Sequence, residues 1–182
     1  KTLQECGYTG RTFILIDDED KEQDSYLKNY GDKICIFHKT PWFDIGDNFD
    51  GPNGIATFAR NACFDVAKEK CLKSFLMIDD DLKQASVRYL KDGRLLGKKC
   101  TDLDSVFFAA SEIVENTKTD CIGFGLPMDY IGGSETFNKP LFETRRHVMN
   151  AYMFKSDSAV RFHGRYSEDS ISPVQFGKTG AI

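Results

Sequence analysis

Three consecutive carboxylates, Asp79, Asp80 and Asp81, directly follow an apolar run at residues 75–78. Adjacent like charges repel one another unless a cation shares them, and carboxylate oxygens are ligands that suit Mg²⁺ and Mn²⁺. Side chains alternate along an extended chain, so we expect Asp79 and Asp81 on one side and Asp80 on the other. The triplet predicts a metal or phosphate site, and its alternative is an ordinary polar turn at the end of a strand.

The elements before the triplet predict the scaffold that positions it. Apolar and β-branched runs predict three strands, at 12–16, 33–37 and 75–78. Helical spacing of apolar residues predicts two intervening helices, at 22–30 and 55–67. Alternation of strand and helix is typical of a parallel sheet, in which ligands bind just beyond the carboxyl ends of the strands. The triplet is therefore predicted to lie at that edge of the sheet.

The second half of the chain predicts further elements. Asp92-Gly93 indicates a hairpin, Thr101 with Asp104 resembles a capping box, and the apolar face that follows the box indicates a helix. The predicted ranges are 86–96 for the hairpin, 103–114 for the helical face, and 121–126 and 147–155 for two later strands.

Bulk composition limits the class of protein. At 182 residues the chain fits a single domain that buries a core without metal or disulfide staples, and its six cysteines show no CxxC pair. Reduced thiols and the lack of a signal-peptide pattern or membrane-spanning run favour a cytoplasmic protein with no membrane partner. A net charge of −4 gives no support to polyanion binding, although basic residues crowd the segment 88–99. Such a group is also explained as a solvated face.

Several motifs together carry a family resemblance. The segment GIATFARN at 54–61, followed by the strand and the aspartate triplet, resembles the GT-A fold of nucleotide-sugar glycosyltransferases. ILIDD at 14–18 is similar to the strand end that meets the nucleobase in that fold, and SED at 167–169 is similar to its later Glu-Asp motif. The triple aspartate, the compact length and QFG at 175–177 are most similar to the phage and TET-associated glycosyltransferases. That subgroup is inferred to glycosylate hydroxymethylpyrimidines in phage DNA, which implies a host cytoplasm as the location if a phage encodes this chain.

The resemblance implies a fold, a donor and a cofactor. The implied fold is an α/β, three-layer, Rossmann-like GT-A sheet, mostly parallel, with a DxD-type motif at a strand end. Residues 1–182 would form one such domain that lacks the family's first strand, since residues 1–7 match only the end of the first helix. The implied donor is a nucleotide sugar, with a UDP-sugar favoured, and the cofactor is Mn²⁺ or Mg²⁺. Hydroxymethylated DNA is the implied acceptor.

The resemblance also implies roles for individual residues. Asp81 would bind the metal directly, Asp79 would reach the donor ribose or the metal through water, and Asp80 would take either secondary role. Asp169 would deprotonate the acceptor hydroxyl, with Glu168 orienting the loop or touching the acceptor. The remaining donor-binding residues would be Asp17 and Asp18 at the nucleobase and Arg60 and Asn61 at the nucleotide.

Three alternatives stay open at the level of sequence. A DxD-type phosphate hydrolase would use Asp79 as its nucleophile, although Leu82 and Lys83 replace the small turn residues of such enzymes. A module of the same fold could bind a nucleotide without turnover. A glycosyltransferase could also act on a glycan or a protein in place of DNA, because the acidic net charge suits those acceptors equally well.

Overall fold

The computed structural model describes residues 2–41, 56–92, 94–125, 150–164 and 168–179, which contain five helices and seven strands. The helices are α1 (Thr2–Glu5), α2 (Gln23–Tyr30), α3 (Ala56–Glu69), α4 (Leu103–Asn116) and α5 (Glu168–Thr179). The strands are β1 (Ile14–Asp17), β2 (Ile34–Phe37), β3 (Ser74–Ile78), β4 (Ser86–Lys91), β5 (Arg94–Lys99), β6 (Cys121–Gly123) and β7 (Ala151–Lys155). A 3-10 turn, Gly31–Lys33, precedes β2.

The chain divides into two compact units. The first unit comprises residues 1–10, 76–154 and 182, and the second comprises 11–75 and 155–181. The aspartate triplet belongs to the first unit, whereas the other predicted site residues belong to the second. The prediction of a single domain over 1–182 stays a prediction.

The first unit has helix α4 at the centre of its core. This helix is 14 residues long, and its buried side chains take part in two apolar clusters. The predicted core face is largely confirmed, except that Ile113 is 42% exposed. The buried members of the clusters are Cys6, Cys100 and Leu103 in one and Ala110, Val114 and Met153 in the other.

The start of α4 differs from the predicted capping box. The helix is capped by Asp102, whose side chain accepts a hydrogen bond from the Ser105 amide at 3.0 Å. Asp104 instead accepts hydrogen bonds from the amide and the hydroxyl of Thr9, at 2.9 and 2.6 Å. The box centred on Thr101 was therefore wrong, because Asp102 is one residue closer to the helix and itself satisfies an amide of the first turn.

The second unit is built on a short parallel pair. Strands β1 and β2 pair in register from Ile14 with Ile34 to Asp17 with Phe37, and α2 forms the crossover between them. Helix α3 packs against both strands. It contains neither Gly nor Pro and buries Phe58, Ala62 and Phe64 together with three polar side chains. The strand–helix–strand prediction is correct for this part of the chain.

The predicted mostly parallel, three-layer Rossmann-like GT-A sheet is wrong. The described strands form three separate sheets, of which β1–β2 is parallel, whereas β4–β5 and β6–β7 pair antiparallel. Strand and helix alternate only as far as β3, after which the chain turns back at Asp92 into β5. A parallel connection needs a crossover of a dozen or more residues, so this short turn imposes antiparallel pairing. The fold is a small α/β arrangement with mostly antiparallel pairs.

None of the helices in the described ranges is both long and apolar enough to cross a bilayer. Several predicted elements extend beyond those ranges. The first residues of the GIATFARN segment, the last residue of the predicted strand at 121–126 and the start of the predicted strand at 147–155 lie outside the described residues.

Candidate functional site

The aspartate triplet lies at the end of β3, as predicted. The strand ends at Ile78, and the Asp79 amide still donates to the Asn150 carbonyl at 3.0 Å. Asp79 is half-buried, whereas Asp80 and Asp81 are exposed and form a turn. Because the chain turns here, the alternation rule for an extended strand does not fix the relative directions of these carboxylates.

The donor chemistry of the triplet fits a hard divalent cation. No group of three or more His, Cys, Asp or Glu side chains in the described ranges is arranged to hold a metal by itself. Mg²⁺ in nucleotide enzymes is usually bound by one or two carboxylates together with phosphate oxygens and waters, and it does not need a complete protein cage. Half-buried Asp79 and exposed Asp81 have the oxygen ligands that such sharing requires.

A second polar group lies at the carboxyl edge of β1 and β2. Asp17 ends β1, and its Oδ1 accepts a hydrogen bond from the Glu19 amide at 2.9 Å. The buried ammonium of Lys39 lies 2.7 Å from Glu19 Oε2 and 3.4 Å from Asp17 Oδ1. His38 Nδ1 lies 2.6 Å from Asp18 Oδ2. Both predicted nucleobase residues are therefore held by side chains that follow the neighbouring strand.

These contacts shift two ionisation equilibria in opposite directions. The hydrogen bond from His38 is the main cause that lowers the pKa of Asp18 below 3.8, although partial burial opposes it. The hydrogen bond to Glu19 is the main cause that raises the pKa of Lys39 above 10.5. Both shifts favour the charged forms, so the Asp18 carboxylate and the Lys39 ammonium are both charged at neutral pH.

Helix α3 presents a polar face to the segment at 160–164. Thr57 donates its hydroxyl hydrogen to the Gly164 carbonyl at 2.5 Å. Asn61 donates from Nδ2 to the Phe162 carbonyl at 3.0 Å and accepts from the Phe162 amide through Oδ1 at 2.8 Å. Asn61 is 0% exposed. Thr57 and Asn61 are four residues apart and hence on one side of the helix, from which they bind the backbone of this segment.

Arg60 belongs to the same polar face and contacts the start of α5. Its Nη1 lies 3.3 Å from Glu168 Oε1, and its guanidinium carbon lies 5.3 Å from the centroid of the Phe162 ring. The side chains of Arg60 and Glu168 are only 9% and 14% exposed. Asp169 is the second residue of α5, and its side chain lies outside the described part of the structure.

Helix α5 fixes the same segment from the other end. Ser172 is 0% exposed, and its hydroxyl oxygen accepts a hydrogen bond from the His163 amide at 3.1 Å. The rings of Phe176 and Phe162 meet edge to face, with their centroids 5.7 Å apart. The segment at 160–164 is thus held by α3 and α5 together, immediately before the predicted Glu-Asp motif.

The structure brings some predicted residues together and adds others. Arg60 and Glu168 are in contact, although sequence reasoning assigned them to separate tasks. Lys39 was missed, and the available signal was its place just after β2, since parallel strands end at the same edge. Thr57 was also missed because a threonine in an apolar helical pattern gives no distinct signal. The assignments of Arg60 and Asn61 to the nucleotide stay predictions.

Comparison with known proteins identifies the class. A glycosyltransferase family model matches the chain over residues 1–181. The family is described as TET-Associated Glycosyltransferase, and the chain belongs to it. The resemblance of the motifs to the TET-associated glycosyltransferases is therefore confirmed. No curated protein and no solved structure matches the chain.

Proposed function

We propose that this glycosyltransferase moves a sugar from a nucleotide-sugar donor to a hydroxyl acceptor with the help of Mn²⁺ or Mg²⁺. The single observation that carries the proposal is the aspartate triplet at the end of β3 in a chain that matches a glycosyltransferase family. Asp81 and Asp79 would hold the ion, and Asp80 would take a secondary role. When bound, the ion neutralises the charge that develops on the leaving diphosphate.

The polar edge of β1 and β2 would meet the nucleoside part of the donor, with a UDP-sugar favoured. Asp17 and Asp18 are already oriented by Lys39 and His38, so their oxygens need little reordering on binding. Ionised carboxylates accept hydrogen bonds, and the imide N–H of uracil and the ribose hydroxyls are donors of the matching kind. Lys39 would contribute by holding Asp17 and Glu19 in place.

Asp169 would accept the proton of the acceptor hydroxyl. Its neighbour Glu168 is engaged by Arg60, so the two carboxylates of the motif would have different tasks. Glu168 would anchor the first turn of α5, and Asp169 would act as the general base. Arg60 would be a positioning residue in this arrangement, in addition to any contact with the nucleotide.

The proposed acceptor is a 5-hydroxymethylpyrimidine in DNA, as in phage genomes. The support for DNA is the similarity of the motifs to the phage and TET-associated enzymes together with the family match. A free hydroxymethyl group supplies the nucleophilic oxygen that sugar transfer needs. A glycan or a protein hydroxyl is the competing acceptor class.

The test combines donor turnover with matched carboxylate variants. The protein is incubated with UDP-sugars and hydroxymethylated or plain DNA in Mn²⁺, Mg²⁺ or excess EDTA, and release of UDP and mass gain of the DNA are measured. We expect activity only with a divalent ion. Asp81→Asn should reduce turnover by about 100-fold or more, since a metal supplies several kcal/mol of charge stabilisation and each 1.4 kcal/mol is tenfold.

The control is Asp65→Asn, which removes one carboxylate from the exposed surface of α3 and should leave turnover near that of the wild type. Full activity in EDTA, or equal activity of Asp81→Asn and wild type, would contradict the metal assignment. Transfer to a glycan or a protein but not to hydroxymethylated DNA would contradict the acceptor assignment alone.

A further inference from the structure

Strands β4 and β5 form a two-stranded ribbon whose side chains are mostly exposed. The strands pair from Ser86 with Lys99 to Lys91 with Arg94, and Asp92 follows β4 with a φ of 52°. A positive φ of this size is typical of the two-residue turns that join antiparallel strands. Each strand has six residues and therefore extends about 17–20 Å.

The register assigns every ribbon residue to one of two faces. Directly opposite residues share a face, and alternate residues along one strand share it too. Val87 is on one of these faces and packs against the core cluster of the first unit, so it anchors the base of the ribbon. The other residues of this face, which we call the basic face, are Tyr89, Lys91, Arg94, Leu96 and Lys98.

Positive charge is concentrated in the ribbon. Residues 86–99 carry five cationic side chains and one carboxylate, a net charge of +4, whereas the whole chain carries −4, which leaves −8 for all other residues. Three of the cations, Lys91, Arg94 and Lys98, belong to the basic face, and all three are exposed. The ribbon is therefore a basic element in an acidic protein, and its local field favours an anionic partner.

The placement of two of these cations costs stability in the isolated protein. Lys91 and Arg94 are directly opposite each other across the ribbon, and like charges in opposite positions destabilise a β pair. A polyanion bound along this face would convert that repulsion into attraction. An ordinary solvated ribbon would gain from opposite charges at such a pair.

Tyr89 adds a partly exposed aromatic side chain to the basic face. It is 40% exposed, and Lys98 Nζ lies 6.0 Å from the centroid of its ring. Next to it across the ribbon is Leu96, which is 37% exposed. Cations beside an exposed aromatic and an apolar side chain suit a partner that offers phosphates together with base edges and thymine methyl groups.

We infer that the basic face of the β4–β5 ribbon binds duplex DNA and presents the acceptor strand to the enzyme. A two-stranded ribbon fits the major groove, which is about 12 Å wide, and substituents at C5 of pyrimidines project into that groove. The ribbon would thus enter the groove that displays the hydroxymethyl group. The inference rests on the proposed acceptor class, and it names the element that recognises it.

The test measures DNA binding of the full chain without a donor. A fluorescein-labelled duplex containing 5-hydroxymethylcytosine is titrated with protein over a series of NaCl concentrations. Each phosphate contact contributes about −0.9 to the slope of log K against log salt concentration. The triple variant Lys91→Gln, Arg94→Gln, Lys98→Gln should therefore bind more weakly and show a slope smaller in magnitude by about 2–3.

The matched control removes three exposed lysines from other helical or loop positions, in the variant Lys28→Gln, Lys68→Gln, Lys118→Gln. It has the same net charge as the ribbon variant and should keep nearly the wild-type slope. Thermal unfolding of both variants shows whether each is folded. The inference would be overturned if the slope of log K against log salt concentration were the same for the ribbon variant and the control variant.

Two further outcomes would also overturn it. Anionic phosphatidylserine vesicles that bind more tightly than duplex DNA, with the same loss in the ribbon variant, would make the partner a membrane surface. If the protein bound a single strand more tightly than the duplex, the partner of the ribbon would be unpaired nucleic acid. These binding measurements contain no sugar donor, so they do not depend on catalysis. A failure of the proposed catalytic function can therefore be told apart from a failure of DNA binding by the ribbon.

Discussion

Arg60 Nη1 lies 3.3 Å from Glu168 Oε1, and this contact joins the helix that carries the family-like ARN segment to the first residue of the Glu-Asp motif. Both side chains are largely shielded from water, so salt screens their attraction less than that of a surface pair. The two motifs are more than 100 residues apart in sequence. The pair therefore couples the stability of the second unit to the position of α5.

A double-mutant cycle on this pair should show strong coupling. Removing one member of a buried ion pair destabilises because it leaves the other charge without its partner group, so Arg60→Met or Glu168→Gln should each cost about 2–4 kcal/mol. The double variant should lose less than the sum of the single losses, with a coupling of about 1–3 kcal/mol. Urea denaturation monitored by circular dichroism gives these free energies of unfolding.

The control cycle pairs Lys68→Met with Glu168→Gln. Lys68 is an exposed cation on the same helix, about 12 Å further along its axis than Arg60. Its effect should add to that of Glu168→Gln within about 0.5 kcal/mol. If the stability losses of Arg60→Met and Glu168→Gln were also additive, the 3.3 Å contact would contribute nothing to the free energy of unfolding.

Asn61 should be far more sensitive to substitution than an exposed asparagine. Both polar atoms of its side-chain amide bond the backbone of Phe162 in a fully buried place. Asn61→Leu removes both hydrogen bonds, and each buried group left unsatisfied costs about 1–3 kcal/mol, so a loss of about 2–5 kcal/mol is expected. Thermal or urea unfolding measures the loss.

Asn116→Leu is the comparison. Asn116 ends α4, is exposed, and donates to the Glu112 carbonyl and carboxylate within its own helix. Its replacement should change the free energy of unfolding by about 0.5 kcal/mol or less. A similarly small change in the free energy of unfolding for Asn61→Leu would contradict the structural role of Asn61. Donor binding would then remain as the proposed role of this residue.

The hydrogen bond between His38 and Asp18 should be visible in the pH dependence of stability. Its presence lowers the pKa of Asp18 below 3.8 in the folded protein, so the stabilisation is complete above that pH and is lost as pH falls through the lowered pKa. The stability difference between wild type and His38→Leu should therefore be largest above about pH 5 and shrink at lower pH. Denaturation across the acid range measures it.

Carboxyl NMR titration provides an internal control for this prediction. The pKa of Asp102 is also lowered, but chiefly by a hydrogen bond from Ser105 at the start of α4. His38→Leu should raise the pKa of Asp18 toward 3.8 and leave that of Asp102 unchanged. An Asp18 pKa that does not move in the variant would show that His38 does not stabilise its carboxylate.

The cysteines should react with thiol reagents in a defined order. Cys71 is exposed, whereas burial, with a smaller effect of Asp120, raises the pKa of Cys121 to about 12. Since the thiolate is the reactive form, Cys121 should be nearly inert at about pH 8 in the folded protein. Ellman's reagent should label Cys71 first, and Cys71→Ser should remove the fast phase. Rapid labelling of Cys121, which is half-buried, before unfolding would contradict the raised pKa of its thiol.

Local sequence patterns identified most elements and several site residues. The strand before the aspartates, the β4–β5 hairpin and the apolar face of α4 follow from periodicities of two and 3.6 residues and from turn residues, which depend on near neighbours alone. The sheet arrangement was not recoverable in the same way. Strand–helix alternation predicted a mostly parallel sheet, yet β6 and β7 pair antiparallel.

The sequence by itself determined the family and the location of the carboxylates, because motif residues and strand ends are set by short-range order along the chain. Only the tertiary structure decided that Arg60 contacts Glu168, that Asn61 bonds Phe162, and that Lys39 is buried beside Asp17 and Glu19. Those partners are distant in sequence or on adjacent strands. Their pairing depends on which polar groups must be satisfied once packing removes water, and no local pattern encodes that requirement.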